Sequence, residues 1–327
     1  MRHLLRRLGF YLIALWASLT LNFLIPRLAP GNPALIFVAR FQGRIRPEAI
    51  HAIELQFGIT NDPLWVQYFQ YLNNLLHGNL GLSITYFPTP VAEAIGQELP
   101  WTLVLVLVSL VLSFALGTLL GVIIAWRRNS FLDSLLPPLM TFISAIPYFC
   151  LALILLYIFG FTLNWFPVSG GYDRFISPDW SPDFISSAIQ HAILPAITFV
   201  VASISGWMLG MRNAMIMTLS EDYVLMAQAK GLATRRVMLN YAARNAILPN
   251  ITGFAIALGQ VVAGQLFLEI VFSYPGIGYS LFQAVQNSDY ALMQGIFLII
   301  TVAVMSANFL VDMVYTVLDP RVRQERG

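Results

Sequence analysis

The sequence predicts an all-α, polytopic membrane protein with six transmembrane helices and both termini in the cytoplasm. Three observations carry this expectation. Of 327 residues, 58% are hydrophobic and only 10% are charged, against about 25% charged in soluble domains, and the mean hydropathy is +0.72. Six apolar runs approach or exceed the roughly 20 residues that cross a bilayer. Lys and Arg are unevenly shared between the segments joining those runs, the usual signature of orientation.

The first run is Leu8 to Ile25, ended by Pro26 and Arg27. Arg2, Arg6 and Arg7 precede it, and its length reads as a retained first helix rather than a cleaved signal. The second is Leu99 to Trp126, and the third lies within Ser134 to Phe161. The fourth is Phe184 to Met211, the fifth Ala246 to Leu268 and the sixth Tyr290 to Val311. With the N-terminus inside, segments 1–7, 127–133, 212–245 and 319–327 hold 13 of the 18 basic residues. The outside keeps Arg27, Arg40, Arg44, Arg46 and Arg174, and long outer segments translocate largely regardless of charge. The chain thus divides into residues 1–98, a first helix plus a long outer segment; 99–320, a five-helix core with a polar inner loop at 212–249; and a tail, 321–327.

In the outer segment, Pro47 to Phe57 and Pro63 to His77 read as amphipathic helices with proline starts. Trp65, Tyr68, Phe69, Tyr71 and Leu72 fall on a face of the second, suited to the membrane interface or to packing against the spans. Within the spans, Pro137, Pro138 and Pro147 are positioned to bend the third, and Gly117 and Gly121 give the second a face of small residues.

Several chemistries are excluded or weakened. The net charge of +2 does not suggest nucleic acid. The single lysine, Lys230, follows Ala229, so no Gly-Lys-Ser/Thr phosphate loop exists and the chain does not hydrolyse ATP by that route. His3, His51, His77 and His191 are scattered without metal-ligand spacing, and Cys150, alone in an apolar run, reads as a small hydrophobe. Gly81-Leu82-Ser83 and Gly278-Tyr279-Ser280, with His191, are the weak basis for an intramembrane serine protease. Glu269, Asp312 and His191 fall near span ends, where a local pair, such as Asp312 with an arginine of the tail, explains them. A self-powered secondary transporter needs a mid-membrane ion site or inverted repeats, and neither is present. The energy for any transport is therefore expected from another chain.

The informative stretch is 220–249. Ser220 is placed to cap a helix with Glu221 and Asp222 in its first turn, where the helix dipole favours negative charge. Tyr223 follows, Lys230 lies near the C-terminal end, and Gly231 suits the left-handed position beyond it. Thr234 is placed to cap a second helix carrying Arg235, Arg236, Tyr241, Arg244 and Asn245, and Pro249 suits the first turn of the next span. Ala227, Ala229 and Gly231 keep one stretch thin, open to close approach by a partner, although an ordinary amphipathic loop fits the composition as well.

These residues also resemble the conserved loop of ABC-transporter permeases, the inner-membrane subunits of binding-protein-dependent importers. The general pattern is Glu-Ala-Ala, three residues, Gly, then Leu-Pro. Ala227, Gly231 and Leu248-Pro249 match, while Leu225 and Met226 stand where the pattern has Glu and Ala. Glu221-Asp222-Tyr223-Val224, Ala229-Lys230-Gly231-Leu232 and Arg244-Asn245-Ala246-Ile247-Leu248-Pro249 are similar to the dipeptide/oligopeptide subfamily. So are Arg27 to Pro33, Gly78-Asn79-Leu80-Gly81, Pro90-Val91, Leu99 to Leu103, Ile146-Pro147, Trp165 to Gly170, Pro275 to Gly278 and Asp319-Pro320-Arg321. The order is kept along nearly the whole chain, and the start resembles the B-type permease of the pair. The resemblance implies a type I importer fold, a C-type permease as heterodimeric partner, two ATPase subunits that bind ATP and Mg, an extracytoplasmic solute-binding protein, surrounding lipid, and the bacterial or archaeal inner membrane. It implies no cofactor and no catalytic residue on this chain. It implies that Glu221, Asp222, Tyr223, Ala227, Ala229, Lys230, Gly231, Arg235, Arg244, Asn245 and Pro249 couple to an ATPase. Di- or oligopeptides are the implied cargo, with oligosaccharides or nickel as alternatives. Trp165, Phe166, Trp207 and Tyr274 fit either a sugar path or interfacial aromatic belts.

Overall fold

A computed structural model describes residues 2–28, 62–263 and 265–318, with side chains 2–8, 26, 263 and 310–318 not described. The expectations for Pro47 to Phe57, for Asp312 and for the Asp319-Pro320-Arg321 tail fall outside the described side chains or residues. Among the described residues the structure is helical, with a single isolated β-bridge between Leu82 and Pro90. The helices are α1 (Arg2–Leu28), α2 (Leu64–Leu76), α3 (Val91–Trp126), α4 (Phe131–Ala145), α5 (Tyr148–Leu155) and α6 (Pro182–Leu219). Then follow α7 (Asp222–Ala229), α8 (Thr234–Arg236), α9 (Arg244–Ala246), α10 (Leu248–Gly259), α11 (Leu266–Val271), α12 (Ile277–Gln286) and α13 (Tyr290–Leu318). π-Helical turns Leu156–Thr162 and Val237–Ala243 extend α5 and join α8 to α9.

Three described helices are long and apolar enough to cross a membrane: Val91–Trp126, Pro182–Leu219 and the part Tyr290–Phe309 of α13. The third predicted span is not straight. It is two helices, Phe131–Ala145 and Tyr148–Thr162, bent by 97°. The bend sits at Ile146 and Pro147, whereas Pro137 and Pro138 lie inside α4. Pro147 holds an extended ψ of 131° and starts the next helix, so the chain turns before it. The fifth predicted span is also interrupted. α10 ends at Gly259, a 3₁₀ turn runs over Val261–Ala263, and α11 begins at Leu266. Glycine supports a helix poorly and lets the chain leave it there. The first helix does not stop at Pro26 but continues to Leu28, and its apolar part, Gly9–Ile25, is short for a span.

The described residues fall into two compact units, divided within α3 after Thr102. In one, Val91, Ala94 and Ile95 of α3 pack with Ile277, Leu281 and Ala284 of α12 and Leu292, Met293 and Ile296 of α13. Thr102 Oγ1 accepts the Ile277 N–H at 2.9 Å, supplying a partner for the N-terminus of α12 where Gly276 has no side chain to offer. The buried Asp289 caps α13 through the Leu292 N–H and also accepts from Ser83 Oγ at 2.6 Å and the Thr85 N–H at 2.8 Å. α2 lies against α1. Buried Phe23 stacks edge-on with Tyr68 at 5.2 Å and tilted against Tyr71 at 5.5 Å, while Trp65 and Phe69 stay exposed. The aromatics expected on one face of α2 therefore divide between two.

In the other unit α3 and α6 meet at glycines. A Cβ on Gly117 would lie 2.8 Å from the Ile204 carbonyl oxygen, and one on Gly121 would lie 2.6 Å from that of Met208. The small-residue face of the second span is thus a close backbone approach. Asn250 of α10 is buried and donates to Thr118 Oγ1 at 3.3 Å and to the Trp207 carbonyl at 3.0 Å. Trp207 packs against Phe114 and Phe254, and Tyr274 is 2% exposed. Cys150 is half-buried rather than fully enclosed.

Candidate functional site

Residues 220–249 fold as one backed element. Ser220 does not start α7. It ends α6, its Oγ donating to the Met217 carbonyl at 2.7 Å. Glu221 occupies the capping position of α7 without a side-chain cap bond, and Asp222 opens the first turn. The C-terminal end follows the glycine pattern closely. Gly231 has φ +70, its N–H donates to the Gln228 carbonyl at 2.9 Å, and the Leu232 N–H reaches the Ala227 carbonyl at 3.4 Å. That pair of bonds closes carbonyls the helix end would otherwise leave open. Thr234 is the first helical residue of α8, and Ala233 holds the capping position, so the expected threonine cap is absent. Pro249 falls in the first turn of α10.

The inner face of this element is apolar and closed. Val224, Ala227, Val237, Ala242 and Ala246 are each no more than 2% exposed. They pack on Val122 and Ala125 at the end of α3 and on Met211 and Met215 at the end of α6. Burying each valine is worth about 1.5–3 kcal/mol. Ala227 therefore faces inward, 2% exposed, rather than onto the outer surface. Ala229 and Gly231 do lie on the exposed side.

The outer face carries the rest. Glu221, Asp222, Tyr223, Ala229, Lys230, Gly231, Arg235, Arg244 and Asn245 are all exposed. The fold brings Tyr223 and Asn245 together: Asn245 Nδ2 donates to the Tyr223 hydroxyl at 2.9 Å and to the Tyr241 carbonyl at 3.3 Å. Leu225 and Met226 project outward at 49% and 58% exposure. Sequence reading noticed these two residues only as departures from a pattern. Their exposure had a faint signal, since they sit on the face of α7 opposite Val224 and Ala227.

A second tie was not legible. Arg212 of α6 donates Nε to Asp133 Oδ1 at 2.8 Å, and its Nη2 lies 2.6 Å from the same oxygen. Asp133 Oδ2 accepts the Asn129 N–H at 3.0 Å, and Ser130 caps α4 by accepting from Asp133 N. The partners are 79 residues apart. The serines considered for a protease are committed elsewhere: Ser83 donates to Asp289, Ser280 shares a 2.9 Å bond with the Tyr86 hydroxyl, and both are buried. The His191 ring pairs with the Ser187 carbonyl within its own helix. Glu269 is fully buried in α11. Among the described residues no three His, Cys, Asp or Glu side chains gather as a metal site.

An apolar bundle whose exposed polar loop carries Gly231 and Pro249 at the matching positions invites comparison with transport proteins. The family of binding-protein-dependent transport system inner membrane components matches residues 117–324. The chain belongs to this family. The permease is 34% identical to the di/tripeptide transport system permease protein DppB of Pseudomonas aeruginosa, over 340 residues covering 98% of each chain. It is 33% identical to the oligopeptide transport system permease protein AppB of Bacillus subtilis, over 98% of each. The dipeptide transport system permease protein DppB of Escherichia coli K12 is 31% identical over the full length of both. The permease is thus a transport subunit of the inner membrane, and the 220–249 element lies inside the matched region.

Proposed function

We propose that the permease forms, with a second and different permease chain, the pathway through which an ATP-driven importer moves di- or oligopeptides. Full-length similarity to relatives named for peptide transport supports the cargo. In this reading the bent pair α4–α5, the short helix α1 and the interrupted α10–α11 complete six spans, with both termini in the cytoplasm. A solute-binding protein delivers peptide from outside, and lipid surrounds the spans. ATP and Mg are bound by two ATPase subunits and not by this chain.

The single observation that carries the coupling role is the two-sidedness of residues 222–246. Outward lie Tyr223, Leu225, Met226, Lys230 and Gly231, and inward lies a closed apolar face packed on the ends of α3 and α6. An ATPase that grips the outer face and moves carries those helix ends with it, because close-packed side chains transmit displacement rather than absorb it. Rigid-body switching between inward- and outward-facing states follows.

The test is reconstitution of the complete importer carrying Leu225→Glu and Met226→Glu together. The wild type retains its ATPase subunits through purification and takes up dialanine. The double variant inserts normally but loses retention and at least tenfold in uptake. Normal uptake by the variant rejects the surface.

A further inference from the structure

The corner where α1 meets α2 holds an arginine in a fixed pose. Arg27 Nε donates to Gln67 Oε1 at 3.1 Å, and its Nη1 donates to the Phe23 carbonyl at 3.1 Å. Its guanidinium carbon lies 3.8 Å from the centre of the Phe23 ring. Phe23 is itself buried and clamped by Tyr68 and Tyr71. Gln67 is held in turn, its Nε2 donating to the Asp62 backbone carbonyl at 2.8 Å. Arg27 is half-buried, and among the described residues its Nη2 makes no hydrogen bond and no carboxylate forms an ion pair with it. An arginine keeps its charge at every physiological pH. A partly desolvated cation with one edge of its fork uncommitted suits an anion, and the fork matches a pair of phosphate oxygens.

The position of Arg27 indicates which anion. The apolar part of α1, Gly9–Ile25, is about 25 Å long at about 1.5 Å per residue, against a hydrocarbon core of about 30 Å. Arg27 follows its end by two residues and so stands at headgroup depth. The surfaces flanking it are apolar and open. Leu21, Ile25 and Leu28 recur at helical spacing along α1, as Trp65 and Phe69 do along α2, and all five are more than half exposed. Aliphatic and aromatic side chains at that depth sit among acyl chains and headgroups. A phosphate dissolved in water has no use for such a margin, whereas a phospholipid meets the cation and the margin together. Charge selects further. Phosphatidylcholine brings its own ammonium towards a guanidinium that no described carboxylate offsets, while phosphatidylglycerol brings an uncompensated negative charge.

We propose that Arg27, its guanidinium fixed by Gln67 and Phe23, binds the phosphate of an anionic phospholipid at the α1–α2 corner. The test is native mass spectrometry of the full chain in detergent, titrated with dioleoylphosphatidylglycerol or dioleoylphosphatidylcholine. The first phosphatidylglycerol binds about fivefold more tightly than the first phosphatidylcholine, which is what one arginine near a charged lipid surface is worth. Arg27→Gln removes that preference, whereas Arg174→Gln, at an exposed arginine elsewhere, keeps it. Equal affinity of the wild type for the two lipids overturns the proposal, and that comparison needs no variant to fold. So does a preference that survives Arg27→Gln. A preference that Arg174→Gln abolishes as fully means diffuse attraction to any basic residue and overturns it too. Displacement of phosphatidylglycerol by millimolar inorganic phosphate assigns Arg27 to a soluble anion. Displacement by dialanine, through its carboxylate, assigns it to peptide. Either result also overturns the lipid site.

Discussion

Gly231 shows how one residue separates folding from coupling. Its φ of +70 is left-handed, and a Cβ there meets nothing within 4 Å. Only backbone strain acts on a substitution, so Gly231→Ala and Gly231→Leu each cost about 1–2 kcal/mol. Hydrogen exchange over 222–232 in nanodiscs should therefore rise equally for the two. If the surface docks a partner, Leu should uncouple ATP hydrolysis from uptake far more than Ala, because only the larger side chain obstructs. Equal effects on transport would leave Gly231 a folding residue alone. Gly121 is the opposite case. A Cβ there would press on the Met208 carbonyl oxygen at 2.6 Å and the Met211 Cβ at 2.7 Å. Backbone cannot move aside cheaply, and Gly121→Ala should destabilise by about 1–3 kcal/mol. Gly206, on the facing helix with nothing within 4 Å, is the control. Gly206→Ala should be neutral or stabilise by up to about 1 kcal/mol. Thermal unfolding in detergent ranks the pair.

At the scale of elements, α4 and α6 are joined by the Asp133–Arg212 ion pair, with side chains 8% and 22% exposed. That places it between surface pairs, worth up to about 1 kcal/mol, and buried pairs, whose breaking costs about 3–5 kcal/mol. Asp133→Asn should therefore cost about 2 kcal/mol, and a double-mutant cycle with Arg212→Gln should return most of it as coupling. Additive losses would mean that the two side chains act separately. The 220–249 element was legible in outline. Gly231 beyond a helix end and Pro249 in a first turn were readable because both are local backbone requirements. The capping roles of Ser220 and Thr234 were not. Each sits one residue from the observed capping position, and α6 runs far enough to claim Ser220 for its own end.

For the whole molecule the open choice is whether the bent pair α4–α5 crosses the membrane or returns to the side it entered. Cysteine labelling on a Cys150→Ser background decides it. If the pair crosses, Asn129→Cys and Phe175→Cys react with membrane-impermeant reagent from opposite faces; if it returns, they react from the same face. Six spans require the first outcome. Both positions are suited to it: Asn129 is exposed in a turn with φ 65, and Phe175 is 99% exposed.

Composition and apolar run length were enough to settle a helical membrane protein, and the spacing of Gly231 and Pro249 pointed to a structured polar loop, while the transport role came from the family resemblance. The first two are properties of solvent and of local backbone, and both are written residue by residue. The inward role of Ala227, the Tyr223–Asn245 and Asp133–Arg212 contacts, the 97° turn at Pro147 and the setting of Arg27 on Phe23 and Gln67 were decided only by the tertiary structure. Each depends on which side chains meet across many residues of chain, and helical periodicity gives a residue's face but not its neighbour.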